Sequence, residues 1–120
     1  MRAMDLVAFL GDDKETWGQV TGLINRGEWE KVILVKSKSS DDYEPSKEAD
    51  IITVDTAKPL LELKEDMINK LRNKFEGFDV HVSIASGTGK EHMALISALL
   101  SIPVGIRLVV FTKNGIEIIN

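Results

Sequence analysis

The feature of this sequence that most restricts its fold is an apolar strand, a glycine-rich turn and an apolar helix that follow one another over residues 78–100. The turn reads Ser86-Gly87-Thr88-Gly89-Lys90. Glycines let a ligand approach the backbone, and the unpaired N–H groups of the first helical turn add a partial positive charge. Lys90 adds a full charge. This layout predicts a site for a phosphate-bearing ligand, and a tight turn with a Ser or Thr helix cap and no ligand is the alternative.

The turn does not match a P-loop of the Walker A type. That motif requires a glycine five residues before Gly89, where Ile84 stands. It also requires a Mg²⁺-binding serine or threonine directly after the lysine, where Glu91 stands. The sequence therefore excludes a P-loop NTPase.

The whole chain of 120 residues has 43% hydrophobic residues, which suits one compact domain over residues 1–120. Its formal net charge of −4 comes from interspersed charges of both signs, so we expect no binding to long nucleic acid. The chain has no cysteine, which excludes disulfides and thiol catalysis. It shows no apolar run of membrane-spanning length and no signal peptide, so we expect a cytoplasmic protein without membrane contact.

Apolar runs bounded by turn residues predict the strands of the fold. The predicted strands are 5–11, 31–36, 49–55, 80–85, 105–112 and 116–119. Asn114-Gly115 is a strong hairpin signal between the last two strands. The polar segment 37–48 has no helical apolar face, and we interpret it as a surface connector, with a lid over a ligand as the less favoured alternative.

Three helices are predicted between these strands. The first begins at Asp12 with Glu15 three residues later, the pattern of a capping box, and ends at Gly27. The second begins at Pro59, carries one apolar stripe and ends at Gly77. The third follows the glycine-rich turn and is apolar nearly all round.

The element order β-α-β-β-α-β-α-β-β predicts an α/β fold, a Rossmann-like three-layer sandwich with a mostly parallel sheet and a C-terminal antiparallel hairpin. In a strand order of 3-2-1-4-5, the second and third strands extend the sheet to one side of the first strand, and the fourth and fifth extend it to the other. The strand order therefore reverses between the first and fourth strands. Ligands bind such sheets at the carboxyl ends of the strands beside that reversal. Gly11-Asp12-Asp13 and the turn 86–90 are therefore expected to be neighbours, with Lys36 and Ser37 at the end of the second strand beside them.

The run Val82-Ser-Ile-Ala-Ser-Gly-Thr-Gly-Lys-Glu-His-Met-Ala-Leu-Ile-Ser-Ala-Leu-Leu, followed by a strand and a short hairpin, resembles the CARF (CRISPR-associated Rossmann fold) family. The resemblance covers the whole chain in element order and residues 80–100 at the level of motifs. Ser86, Gly87 and Thr88 match the family turn in place. Lys90 and Met93 match it if one residue is inserted.

The resemblance implies a homodimer that binds cyclic oligoadenylate across its two-fold axis, as in CRISPR-associated antiviral defence. The turns after the first and fourth strands would make the contacts. The chain departs from the family pattern where Thr88 splits the doubled glycine and where Glu91 adds a negative charge. It also has Asp12 and Asp13 where the family usually offers small hydroxyl residues.

The predicted ligand-binding residues combine both turns, the second strand end and the first turns of the third helix. They are Gly11, Asp12, Asp13, Lys36, Ser86, Gly87, Thr88, Gly89, Lys90 and His92. His92 as an ordinary surface histidine is the alternative, and His81 is interpreted as a core or interface residue. No cofactor and no metal site are predicted. Two separate histidines without a cysteine argue against zinc. Asp12 and Asp13 could bind Mg²⁺ through their carboxylates, but the expected capping role of Asp12 already accounts for one of them.

No catalytic residues can be assigned from the sequence, because no nucleophile, base and orienting group can be assembled. If the protein is a ring nuclease, we expect metal-independent cleavage. A ribose 2′-hydroxyl would be aligned with its own phosphodiester, and Lys90 would stabilise the developing charge.

The third helix also predicts a homodimer, because a sheet can cover only one side of a helix that is apolar all round. The predicted interface residues are Met93, Leu95, Ile96, Leu99 and Leu100. Three functions remain open at this point. They are a CARF-like sensor of a cyclic oligoadenylate or related nucleotide with or without slow ring-nuclease activity, a Rossmann-like enzyme acting on a small phosphorylated substrate, and a dimerising scaffold without ligand.

Overall fold

The computed structural model describes residues 4–39, 42–75 and 77–120. Six strands in this part of the chain form a sheet: β1 Asp5–Leu10, β2 Lys31–Ser37, β3 Asp50–Val54, β4 Asp79–Ser83, β5 Gly105–Thr112 and β6 Gly115–Ile118. Three α-helices connect them: α1 Trp17–Arg26, α2 Leu60–Leu71 and α3 Gly89–Ser101. A short 3₁₀ helix, Lys14–Thr16, precedes α1.

The strands lie in the order β3-β2-β1-β4-β5-β6. The first five are parallel, and β6 pairs with β5 in the antiparallel direction. The predicted order, the mostly parallel sheet and the C-terminal hairpin are therefore confirmed. Since β1 and β4 are direct neighbours, with Val7 opposite Val82, the turns that follow them leave the same edge of the sheet.

Helices cover both faces of the sheet, as the three-layer prediction requires. Alternate residues of β1 point to opposite faces, so Val7 and Phe9 belong to the core under α2 and α3. Leu6, Ala8 and Leu10 belong to the core under α1. Every residue of β1 is buried, which explains its unbroken apolar run.

The predicted capping box of Asp12 and Glu15 is wrong. The α-helix begins at Trp17, and neither Asp13 before the 3₁₀ helix nor Thr16 before α1 makes a side-chain cap hydrogen bond. The carboxylate of Asp12 instead accepts hydrogen bonds from two serines, and that of Asp13 contacts the turn after β4. Asp12 and Asp13 thus make hydrogen bonds to residues distant in the sequence instead of capping the helix that follows them.

The segment between β2 and β3 is anchored to α1 in its described part. Tyr43 is buried, its ring packs edge-on against Trp17 at 5.3 Å, and its hydroxyl lies 2.8 Å from that of Thr21. The Lys14 ammonium lies 2.5 Å from the Asp42 carboxylate, and this contact holds the pKa of Asp42 below its ordinary value. These contacts support the connector interpretation, because they hold the segment against the α1 side of the sheet.

Candidate functional site

The turns after β1 and β4 touch each other at the carboxyl edge of the sheet. The backbone N–H of Gly11 donates to the hydroxyl of Ser86 at 2.9 Å. A Cβ atom at Gly11 would lie 2.5 Å from the Cα of Gly87, closer than real side chains approach. Only glycine allows this contact between the two backbones. The prediction that the two turns are neighbours is confirmed.

A carboxylate lies where the sequence predicts a bound anion. Asp13 Oδ1 accepts a hydrogen bond from the backbone N–H of Gly87 at 3.0 Å and a longer one from the Ser86 hydroxyl at 3.3 Å. Asp13 Oδ2 accepts from the hydroxyl of Thr16 at 3.0 Å. Ser86 is fully buried, and its hydroxyl accepts from Gly11 and donates to Asp13. Its side chain therefore holds the two turns together.

The first turn of α3 is closed by a capping box that the sequence analysis did not identify. Thr88 is the N-cap, and its hydroxyl accepts from the N–H of Glu91 at 3.3 Å. In return, Glu91 Oε1 accepts from the N–H of Thr88 at 2.8 Å. The signal was present as Thr88-x-x-Glu91, the Ser/Thr-x-x-Glu pattern. The buried Glu91 therefore satisfies the helix instead of repelling a ligand from an open position.

These contacts reduce the number of backbone N–H groups at the N-terminus of α3 that lack an acceptor. The side chains of Asp13, Glu91 and Thr88 occupy the N–H groups of residues 87, 88 and 91. In the described part of the chain, the N–H groups of Gly89 and Lys90 remain as first-turn donors without an intrahelical acceptor. A Cβ atom at Gly89 would meet nothing within 4 Å, so this end of the helix is open to solvent.

Lys90 and His92 leave the same turn in different directions. The exposed ammonium of Lys90 donates to the carbonyl of Thr56, after β3, at 3.0 Å. His92 Nε2 lies 2.6 Å from the carbonyl oxygen of Ser86. Because a carbonyl oxygen only accepts, Nε2 carries the proton in this contact. His92 also packs edge-on against the ring of Phe9, so it supports the turn from below.

The end of β2 brings Lys36 and Asp12 to the same edge. Lys36 is buried, and its ammonium lies 3.4 Å from the carbonyl oxygen of Ser37. Asp12 Oδ1 accepts hydrogen bonds from the hydroxyls of Ser37 at 2.8 Å and Ser39 at 2.7 Å. Ser37 was expected beside this edge, whereas Ser39 and Thr56 were not selected from the sequence, because their roles depend on which strand ends meet.

The edge thus combines backbone donors and two lysines with three carboxylates that already have partners. This edge can bind an anion through the backbone N–H groups of Gly89 and Lys90 and through the Lys90 ammonium. Within the described residues, no three His, Asp or Glu side chains form a group that could hold a metal ion.

The five predicted interface residues of α3 divide between core and surface. Leu95 and Leu99 are fully buried in the chain's own core, where α3 packs beside α2, and neither offers surface to a second copy. Met93 and Leu100 are 60% and 61% exposed. Ile96 is partly buried against the core. The helix is thus covered on one side, and its other side is open, with Met93 and Leu100 as exposed large apolar side chains.

Comparison with known proteins gives a match of fold. No protein-family model matches the chain, and no curated protein sequence matches it. A solved structure of Enterococcus italicus Csm6 bound to cyclic hexa-2'-fluoro-hexa-dAMP superposes with a TM-score of 0.61 and 11% sequence identity. The alignment covers 90% of this chain and 33% of the Csm6 chain, so this chain spans about a third of that protein's length. The match supports a Rossmann-like α/β fold. No helix in the described ranges has the length and apolar character needed to span a membrane.

Proposed function

We propose that residues 1–120 form a single CARF-like domain that senses a cyclic oligoadenylate or a related nucleotide as a homodimer. The observation that carries the proposal is the contact between the turns after β1 and β4, where Gly11 donates to Ser86. In a doubly wound sheet, this point of strand-order reversal is the usual ligand position. The fold match to a protein solved with a cyclic hexanucleotide analogue supports the same ligand class.

The phosphates of the ligand would lie at the head of α3. Gly89 and Lys90 supply backbone donors there, and the helix dipole favours negative charge at this end. The Lys90 ammonium is exposed and has a single hydrogen bond to a carbonyl, which it can exchange for a phosphate. Charge-assisted contacts of this kind are stronger than the neutral one that they replace.

The exposed side of α3 would form the dimer contact. Met93 and Leu100 lie on that side, and Ile96 lies at its border with the core. A standard interface buries about 800 Å² on each partner, so neighbouring elements would have to contribute as well. A two-fold axis along this side would bring two copies of the 86–90 turn into one cleft, which suits a ring with several phosphates.

Calorimetry with cyclic tetra-adenylate and cyclic hexa-adenylate tests the ligand, with linear oligoadenylates of equal length as controls. We expect one ring per dimer and weaker binding of the linear forms. Sedimentation velocity on the same samples tests the dimer. A monomer at micromolar concentration that binds neither ring would contradict the proposal.

One observation favours a second candidate, a dimerising scaffold without ligand. The N–H groups of Gly87 and Thr88 already have carboxylate partners from Asp13 and Glu91, so the turn is satisfied without an external anion. A dimer in sedimentation that binds neither ring nor any short polyphosphate would favour the scaffold.

A further inference from the structure

We infer that the carboxylate of Asp13 is a built-in competitor of the ligand, which must be displaced from Gly87 before a phosphate can bind both turns. The inference rests on the proposed function, since it concerns the same site. It adds a regulatory role for Asp13 and a reason for selectivity between ligands. Its starting point is the 3.0 Å hydrogen bond from the Gly87 N–H to Asp13 Oδ1.

The position of Oδ1 resembles that of a phosphate oxygen in three respects. It carries negative charge, it accepts from a backbone N–H in a glycine turn, and it accepts from the Ser86 hydroxyl at 3.3 Å. Gly87 has a φ of +105°, and its N–H group points to Asp13 in the turn after β1. One N–H offers one strong hydrogen bond, so the carboxylate and a ligand phosphate exclude each other there.

The carboxylate can leave without losing every partner. Its other oxygen, Oδ2, accepts from the hydroxyl of Thr16 at 3.0 Å. That contact lies on the 3₁₀ helix, away from the turn after β4. Asp13 is only partly buried, so the freed oxygen can be hydrated. The inference therefore requires two arrangements of Asp13: the observed one, bonded to both Gly87 and Thr16, and a second one, bonded to Thr16 and water.

Displacement sets a threshold that depends on how many contacts the ligand makes. A nucleoside monophosphate offers one phosphate group and must overcome the repulsion from Asp13 with few contacts. A ring of several phosphates gains contacts at both turns and, in a dimer, at both copies of the site. Asp13 thus selects rings that reach both copies of the site over nucleoside monophosphates.

The test compares Asp13→Asn and Asp13→Ala with the unmodified chain, using pyrophosphate as the probe. Asparagine keeps the shape and removes the charge, and alanine removes the acceptor. We expect at least about tenfold tighter pyrophosphate binding in both variants, with a shift of the Gly87 amide resonance in ¹⁵N-resolved NMR spectra. In the unmodified chain, that resonance should not move at the same pyrophosphate concentrations.

A charge-matched control separates local displacement from the general change in net charge. Glu15→Gln removes a negative charge from the neighbouring 3₁₀ helix, which is outside the predicted ligand-binding residues. It should change pyrophosphate affinity by less than about threefold. Equal effects in Glu15→Gln and the Asp13 variants, or an unmoved Gly87 resonance in both Asp13 variants, would overturn the inference.

A second titration with cyclic hexa-adenylate distinguishes this inference from the proposed function. If the Asp13 variants bind pyrophosphate at Gly87 and no form binds the ring, the competitor role stands and the proposed ligand is wrong. If the unmodified chain binds the ring and Asp13→Asn binds it no more tightly, the proposed function stands and the competitor role is wrong. Thermal unfolding of each variant confirms that the compared proteins are folded.

Discussion

Gly87 lies directly against the ring of Phe9, so a Cβ atom at residue 87 would come within 2.7 Å of that ring. Its φ of +105° is also a conformation that side chains with a Cβ rarely adopt. The turn between β4 and α3 is therefore fixed by packing from β1 and by backbone conformation together.

The first prediction concerns this glycine. Gly87→Ala should lower the free energy of unfolding by about 1–3 kcal/mol, because it adds backbone strain and a clash with Phe9. Gly89→Ala is the matched control, since a Cβ there meets nothing within 4 Å. It should leave stability unchanged or raise it by up to about 1 kcal/mol. Urea unfolding followed by circular dichroism measures both, and equal effects would contradict the packing explanation.

The second prediction concerns the capping box of α3. Thr88→Ala should lower the free energy of unfolding by about 1 kcal/mol, because the Glu91 N–H loses its acceptor. Thr88→Ser keeps the hydroxyl and should retain most of that stability. If thermal unfolding shows the serine variant to be as unstable as the alanine variant, the methyl group and not the cap is responsible.

The third prediction concerns Lys90. Lys90→Ala should weaken binding of cyclic oligoadenylate by at least about tenfold, since a charge-assisted contact contributes roughly 1.5–3 kcal/mol. Lys47→Ala is the control, because Lys47 is also a surface lysine with its ammonium on a carbonyl, that of Asn25. Calorimetry compares the two. Unchanged affinity in Lys90→Ala would remove this side chain from the site.

The fourth prediction concerns the open side of α3. Met93→Glu and Leu100→Glu should each give monomers in sedimentation velocity and lose binding of the ring, because a buried unpaired charge is unfavourable at an apolar interface. Met93→Leu should preserve the dimer. Leu95→Glu should instead unfold the chain, because Leu95 is fully buried in its own core. Dimers that survive both surface changes would place the interface elsewhere.

The fifth prediction concerns Asp42 and pH. Its hydrogen bond with Lys14 lowers the pKa of Asp42, so this carboxyl stabilises the folded chain above its ordinary pKa and that contribution is lost as pH falls through the lowered value. Lys14→Gln should return the titration midpoint of Asp42 in NMR to the ordinary range. Lys38→Gln, which removes another exposed lysine from the segment between β2 and β3, should leave the titration midpoint of Asp42 unchanged. The same midpoint in the unmodified chain and Lys14→Gln would show that Lys14 is not the cause.

The sequence was sufficient for the strand order and for the two turns that meet at the sheet edge. Unbroken apolar runs such as β1 require cover on both faces, and the alternation of strands and helices requires parallel crossovers. The apolar runs and the alternation of strands and helices are both local sequence patterns, and the packing of the folded chain is consistent with them. The proximity of the turns that contain Gly11 and Ser86 follows from them once the strand order is known.

Side-chain partners could not be assigned in the same way. The sequence places Asp12 and Asp13 in one turn, and either one suits a helix cap there. The structure directs Asp12 to Ser37 and Asp13 to Gly87, which is 74 residues away in the sequence. The same holds for Leu95 and Leu99, whose burial depends on how α2 packs beside α3.

The sequence by itself thus determined the α/β architecture and the meeting of the turns after β1 and β4 at one edge of the sheet. Only the tertiary structure decided that the amide of Gly87 is occupied by a carboxylate and that Met93 and Leu100 form the open side of α3. The physical reason is the separation along the sequence over which each effect acts. Periodicity and turn chemistry act between residues a few positions apart, whereas a hydrogen-bond partner or a buried face is chosen among all groups that the folded chain brings within a few ångströms.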